Sequence, residues 1–341
     1  MKVLVTGGAG YIGSTTAKAL ERAGHVPVIL DSLRSGPRAF VRDRIFYEGD
    51  VADRELLRRI VQEHPDLHAV IHMAARIVVP ESIEQPAEYY RDNVSASLTL
   101  FDELTALGVH RVVFSSSASV YAPVPAGAGE GDEAFAVHES SPVAPGSPYA
   151  RTKLMMEQML QDLAAATDLR AVVLRYFNPI GADPELESGA YVRAPSHVLG
   201  QLVLAARGQI DAFTITGTDL PTRDGSGLRD FIHVWDLAEA HVRAVERFDE
   251  VVDAERPSVV INLGTGRGVT VRELVTAFEN VFGSPVPVRE AGPRPGDAVG
   301  AYADVSRAAE LLGWSARLGL EDGIASALAW AEKRESVLGH P

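Results

Sequence analysis

The sequence predicts an α/β fold, a doubly wound parallel sheet with a smaller C-terminal α/β lobe. Short β-branched runs alternate with amphipathic stretches through residues 1–180. These runs are apolar throughout, as in strands covered on both faces, and crossovers of helical length join them. The first run leads straight into the turn Gly7-Gly8-Ala9-Gly10-Tyr11-Ile12-Gly13, which opens a helical stretch.

Taken in order, Lys2 to Thr6, Val26 to Leu30, Arg44 to Glu48, Ala69 to His72, Arg111 to Phe114 and Ala171 to Tyr176 read as buried strands, with a helix from Tyr11 to Ala23 after the first. Past Ile180 the pattern becomes irregular. It has a loop from Gly181 to Pro195, a helix near Val198 to Arg207, short strands near Phe213 and Val259, and helices near Val271 to Val281 and Asp304 to Leu312. The expected division is therefore residues 1–180, with a sheet extension from later segments, and residues 181–341. Ala122 to Pro148 is rich in Ala, Gly and Pro and carries three acids between Glu130 and Glu133, so a long mobile loop is expected.

Composition excludes several classes of function. At 46% hydrophobic and 23% charged residues the chain is ordinary for a globular protein, and no apolar run approaches the ~20 residues of a membrane span. Val3-Leu4-Val5 begins almost at Met1, which leaves no room for a leader, so a cytoplasmic protein is expected. Zero cysteines remove disulfides and thiol chemistry, and no metal site is expected among the ten histidines. A net charge of −14 disfavours sequence-independent nucleic-acid binding. An anionic ligand needs a local cluster of arginines instead.

The glycine turn follows a strand and opens a helix, the setting in which free N–H groups and a positive dipole end receive a pyrophosphate. Gly7 permits the turn, Gly10 lets the backbone approach the phosphates, and Gly13 allows close packing of helix on sheet. Asp31, at the end of the second strand, accepts from ribose hydroxyls and repels a 2′-phosphate, which favours NAD over NADP. Asp50 and Val51 follow the third strand as adenine contacts, although an Asp there also serves simply as a loop or cap residue.

Tyr149 and Lys153 are four apart and share one helix face. Lowering a phenol from about pKa 10 to neutrality takes roughly 4 kcal/mol, which an ammonium ~4 Å away supplies at an effective dielectric of about 20. Ser117, just past the strand Arg111 to Phe114, falls at the carboxyl end of the sheet, where ligands bind. Together these residues describe an enzyme that exchanges hydride with an alcohol.

They resemble the extended short-chain dehydrogenase/reductase superfamily and, more narrowly, the UDP-glucose 4-epimerase family. The stretches that carry the resemblance are Val5 to Ser14, Pro80-Glu81-Ser82, Tyr89 to Val94, Ser115 to Tyr121, Ser147-Pro148-Tyr149, Arg175 to Pro179, Gly227 to Val234 and Arg294 to Asp297. The likeness implies a Rossmann domain holding NAD and a lobe holding a UDP-sugar. It implies that Ser117, Tyr149 and Lys153 are catalytic. To the cofactor it assigns Gly7, Gly10, Tyr11, Ile12, Gly13, Asp31, Asp50, Val51, Ala74, Ala75, Asn93, Ser115, Tyr149, Lys153 and Tyr176. To the substrate it assigns Ser117, Tyr149, Asn178, His197, Arg229, Arg294, Asp297 and Ala301. Arg229 and Arg294 form a fork for a diphosphate; a surface ion pair between Arg229 and Asp230 is the simpler alternative for the first of them.

The implied reaction is 4-epimerisation. Tyr149 takes the proton of the sugar 4-hydroxyl as hydride leaves C4, Ser117 holds the resulting 4-keto oxygen, and the sugar turns over before hydride returns to its other face. The chain departs from the family at Met73, where a Phe is usual, at Ala150-Arg151-Thr152 and in the long loop after Tyr121. A 4,6-dehydratase is the rival enzyme, but Ala118 and Ser119 occupy the place of its acid pair, and a non-catalytic nucleotide sensor of this fold lacks the Tyr and Lys. The small Ala301 implies that 2-acetamido sugars are accepted as well as plain hexoses. A homodimer through Tyr89 to Leu107 and Pro148 to Ala165 is implied by the resemblance alone.

Overall fold

A computed structural model of the chain describes residues 1–124, 132–292 and 299–339. Seven strands form one parallel sheet: β1 (Lys2–Thr6), β2 (Val26–Asp31), β3 (Ile45–Glu48), β4 (Leu67–His72), β5 (Arg111–Ser115), β6 (Arg170–Tyr176) and β7 (Ser258–Leu263). Their spatial order is β7-β6-β5-β4-β1-β2-β3, and every neighbouring pair is parallel. The order reverses at β1, which opens a crevice at the carboxyl ends of β1 and β4. β7, the strand near Val259, lies at the edge of the main sheet beside β6, with Val259 and Ile261 in one core and Val260 packed against the other.

Helices cover both faces. On one, α1 (Tyr11–Arg22) packs with α6 (Val234–Glu246) over Val3, Val5, Ile29, Ile71 and Val113. On the other, α2 (Arg54–Glu63), α3 (Ala96–Ala106) and α4 (Pro148–Ala166) cover Leu4, Val28, Val70, Val112 and Phe114. Adjacent residues on each strand thus serve opposite cores, as the period of two requires.

The remaining chain builds short ladders around α5 (Val198–Ala206), α7 (Val271–Phe282) and α8 (Leu320–Leu338). Asn178–Ile180 pairs with Phe231–His233, and Phe213–Thr216 with Val288–Ala291. A four-stranded sheet joins Val269–Thr270, Leu228–Arg229, Gly300–Ala303 and Ala136–Val137. The last pair lies within the expected loop, so that loop is partly ordered into a sheet; residues 125–131 lie outside the described residues. The helix expected over Asp304 to Leu312 is a shorter π-helical turn, Ala308–Leu312. Among the described residues no helix is long and apolar enough to cross a membrane.

Candidate functional site

Steric necessity shapes the glycine turn. Gly7 has φ +73°, and a Cβ there would lie 2.8 Å from Ala74 N; one on Gly13 would lie 2.2 Å from the Gly7 carbonyl oxygen. A Cβ on Gly10 would meet nothing nearer than that same oxygen at 3.2 Å, so space is open above it. Helix α1 starts at Tyr11 without a side-chain cap. Its first-turn N–H groups, those of Tyr11, Ile12 and Gly13 among them, therefore face the crevice with no side chain covering them. The Tyr11 side chain turns to the other lobe, where its hydroxyl donates to Gly181 O at 2.6 Å.

Asp31 is buried with its two oxygens divided between Ala9 N at 2.9 Å and Leu33 N at 2.8 Å. Burial raises its pKa, and these two backbone donors oppose the rise. Each oxygen keeps acceptor capacity. A cradle closed to any Cβ at Gly7 and Gly13, an uncapped helix end and this carboxylate together fit a dinucleotide.

Neighbouring positions divide by role. Ala74 and Ala75 line the turn after β4, with Ala74 N directed at Thr6 Oγ1 at 3.4 Å. Asp50 is exposed and accepts from Ala52 N at 2.9 Å within the turn before α2, whose cap is Asp53, while Val51 is buried. Asn93 is fully buried: its Oδ1 accepts from Arg76 N at 2.8 Å, and its Nδ2 donates to Arg76 O and Thr152 Oγ1, both at 3.0 Å. It ties the loop after β4 to α4.

β5 delivers three serines, each to a different partner. Ser115 Oγ meets His241 Nε2 at 2.7 Å. His241 Nδ1 lies 2.8 Å from the Leu237 carbonyl and must donate to it, so Nε2 accepts and Ser115 donates. Ser116 donates to Glu157. Ser117 Oγ accepts from Ser119 N at 3.2 Å and lies beside the Tyr149 hydroxyl, whose ionised form it favours. Tyr149, Lys153 and Glu157 occupy successive turns of α4 and point to the same end of β5.

The structure corrects the expected electrostatics. Lys153 Nζ donates to Ser115 O at 2.8 Å and sits 5.0 Å from the Phe114 ring centre. Burial pushes the Tyr149 phenol up to about 12 against the opposing effect of the Ser117 side chain. It pulls Lys153 down to about 7, opposed by the Glu157 charge. Both groups are nearly enclosed, and desolvation outweighs their favourable contacts. Tyr176 stands close enough that its own raised pKa reflects Tyr149 as well as burial.

On the other side of the crevice, Asn178 is exposed and its N donates to Asp230 O at 3.0 Å. Asp230 is fully buried and accepts from Thr265 N, Thr265 Oγ1, Gly266 N and Ala303 N. This removes the surface-pair alternative, because Asp230 is an interior anchor. Arg229 Nη1 donates to Leu228 O at 2.7 Å and Val299 O at 3.1 Å. His197 caps α5 through Gly200 N at 3.1 Å and lines a cavity of about 150 Å³ with Tyr11, Gly181 and Trp330. Ala301 and Ala118, the residue after Ser117, both pack against the cluster of Tyr121, Val137, Phe177 and Ala303. Arg294 and Asp297 lie outside the described residues.

Comparison with known proteins agrees with this geometry. The model of the NAD dependent epimerase/dehydratase family matches residues 3–264. A curated UDP-glucose 4-epimerase of Azospirillum brasilense is 42% identical, over 99% of this chain and 94% of its own length. The chain belongs to the UDP-glucose 4-epimerase family. A crystal structure of a family member from Stenotrophomonas maltophila, with bound NAD and formylated UDP-arabinopyranose, superposes with a TM-score of 0.90 at 38% identity, covering 98% of this chain and 99% of that one. The Brucella ovis member in complex with NAD gives 0.88 at 41% identity, covering 96% and 97%.

Sequence reasoning missed the family site's buried support. Glu157 and Arg175 form an ion pair at 2.6 Å, Arg175 lies 4.8 Å from the Tyr121 ring centre, and Tyr121 donates to Asn262 at 2.6 Å. The signal was present for Glu157, which extends the four-residue spacing of Tyr149 and Lys153 by one more turn.

Proposed function

We propose that this protein is an NAD-dependent UDP-hexose 4-epimerase, an isomerase that interconverts UDP-glucose and UDP-galactose. The observation that carries the reading is the convergence of Ser117 and Tyr149 at the carboxyl end of β5, beside a glycine cradle that fits a dinucleotide. In this reading residues 1–180 chiefly hold NAD and residues 181–341 chiefly hold the UDP-sugar.

Tyr149 removes the proton of the 4-hydroxyl, Ser117 hydrogen-bonds the developing keto oxygen, and Lys153 supplies positive charge at the same end of the helix. Since the Tyr149 phenol stays protonated at neutral pH by itself, NAD when bound supplies both the added positive charge beside the phenol and the capacity to take hydride from C4 and give it back. Gly7, Gly10, the amides of Tyr11, Ile12 and Gly13, and Asp31 are the residues that hold it. Asn178, Arg229 and Arg294 hold the nucleotide diphosphate, Asp297 the uridine ribose and His197 the uridine pocket, which lets the sugar turn about a fixed anchor. Ala301, packed against the cluster of Tyr121 and Phe177, leaves room for a 2-acetamido group, so UDP-GlcNAc and UDP-GalNAc are substrates too.

The protein works as a cytoplasmic homodimer in this reading. Leu98 on α3 and Met155 on α4 are apolar and exposed, which supports a dimer through those helices. The deciding experiment incubates the protein with a panel of UDP-sugars and follows the products by NMR. Inversion at C4 supports the reading, whereas loss of water to a 6-deoxy-4-keto sugar would indicate the dehydratase.

A further inference from the structure

The segment that follows Gly181 is pinned along α1 far more firmly than a connection requires. The fully buried Asp183 carboxylate accepts from the backbone N–H groups of Glu185, Glu187 and Ser188. Lys18 on α1 pairs with Glu185 at 2.7 Å and Glu187 at 2.9 Å, and Thr15 Oγ1 lies 3.2 Å from Ser188 Oγ. From the opposite side, Trp330 on α8 donates its Nε1 to Ala190 O at 2.8 Å. Gly189 is pressed so close to that indole that a Cβ would lie 2.7 Å from it.

These contacts aim the next residue, Tyr191, back at the first half of the chain. Its ring meets Phe40 edge-on, with centroids 5.8 Å apart and planes at 77°. The Ser35 side chain lies beside its hydroxyl and favours the ionised form, and Asp31 is close enough for its charge to oppose that ionisation. Ser35 is held at the same place, since a Cβ on its neighbour Gly36 would lie 2.5 Å from Ala9 O, within the glycine turn. Ala9 N is in turn one of the two donors to Asp31. Residues from three separate parts of the sequence therefore meet at the carboxylate that faces the adenosine end of the dinucleotide.

We propose that Tyr191 is a dinucleotide-binding residue: with Asp31 and Ser35 its hydroxyl forms the wall that receives the adenosine ribose hydroxyls, and its ring closes that end against a 2′-phosphate. This inference rests on the proposed function. A phenol hydroxyl both donates and accepts, so it complements a ribose diol already facing an acceptor carboxylate. The added ring also explains why the segment is anchored to both α1 and α8, since a wall delivered by a loose strap would lose affinity to ordering entropy.

The test measures binding of NAD and NADP by titration of wild type, Tyr191→Phe and Tyr191→Ala, with UDP binding measured in parallel. Tyr191→Ala should weaken NAD about tenfold and Tyr191→Phe about threefold, the span of one hydrogen bond and its packing. UDP affinity should stay within about twofold of wild type, and NADP should gain relative to NAD in Tyr191→Ala. An unchanged NAD affinity in Tyr191→Ala overturns the proposal, and so does an equal loss for UDP and NAD, which would mean that the residue only supports the fold. Wild-type protein that takes up neither NAD nor UDP would instead contradict the proposed function.

Discussion

Arg229 and Ala301 face each other across a parallel ladder, and the next pair along it is Leu228 with Gly300. This register fixes which side of the strand Gly300–Ala303 meets the site. Ala301 and Ala303 pack with Tyr121 and Phe177, and Tyr302, pointing the opposite way, pairs its backbone with Ala136. The small residue, not its aromatic neighbour, is therefore the one that packs against the same cluster as Ala118.

Given that arrangement, Ala301→Tyr should abolish interconversion of UDP-GlcNAc and UDP-GalNAc while leaving UDP-glucose and UDP-galactose turnover within about threefold. An added ring excludes the acetamido group and spares the plain hexose. Initial rates on both substrate pairs decide it. Equal losses on the two pairs, or a wild type inert toward UDP-GlcNAc, would contradict the assignment.

Tyr149→Phe keeps the ring and removes the hydroxyl that contacts Ser117. Turnover should fall by about 10² to 10⁴, the usual weight of general acid–base catalysis, with UDP and NAD affinities nearly unchanged. Separate measurement of kcat and of ligand binding checks this.

Burial of Lys153 makes stability depend on pH in a definite direction. Its folded pKa is about 7, below the ordinary value of 10.5, so between these the unfolded chain carries a proton that the folded protein lacks. The wild type is thus penalised fully below pH 7 and is relieved as pH rises toward 10.5, by about 1.4 kcal/mol for each pH step of one. Lys153→Met removes this penalty and loses the bond to Ser115 O, worth about 1 kcal/mol. Its thermal midpoint relative to wild type should be most favourable near pH 6 and should decline steadily toward pH 10. A difference that does not vary with pH would show that burial leaves the lysine's titration unchanged.

Glu157→Gln leaves the Arg175 guanidinium buried with a weakened partner. Urea unfolding should show a loss of about 3–5 kcal/mol. Adding Arg175→Met to Glu157→Gln should recover part of it, because the uncompensated charge is then gone.

The main sheet was legible because its strands are covered on both faces and so lack polar alternation, and the glycine turn was legible because Gly7 and Gly13 admit no other residue. Tyr149 and Ser117 were singled out by order and spacing. What escaped was long-range. Nothing adjacent to Val259 in the sequence places that strand beside Arg170–Tyr176, and nothing near Tyr191 places it at Ser35. The position of the Lys153 ammonium also escaped, since a four-residue spacing puts two side chains on one face without choosing between a phenol and a carbonyl as partner. Burial, which the sequence shows only as an average, decided both titrations.

Reversible hydride transfer at C4 is tested with UDP-galactose carrying deuterium at that carbon, incubated with the protein in ordinary water and followed by NMR. The product should be UDP-glucose with the deuterium retained at C4, because the hydrogen removed from one face returns to the other without exchange. Inverted product that has lost its deuterium to solvent, or no inversion at C4, would rule out the proposed reaction.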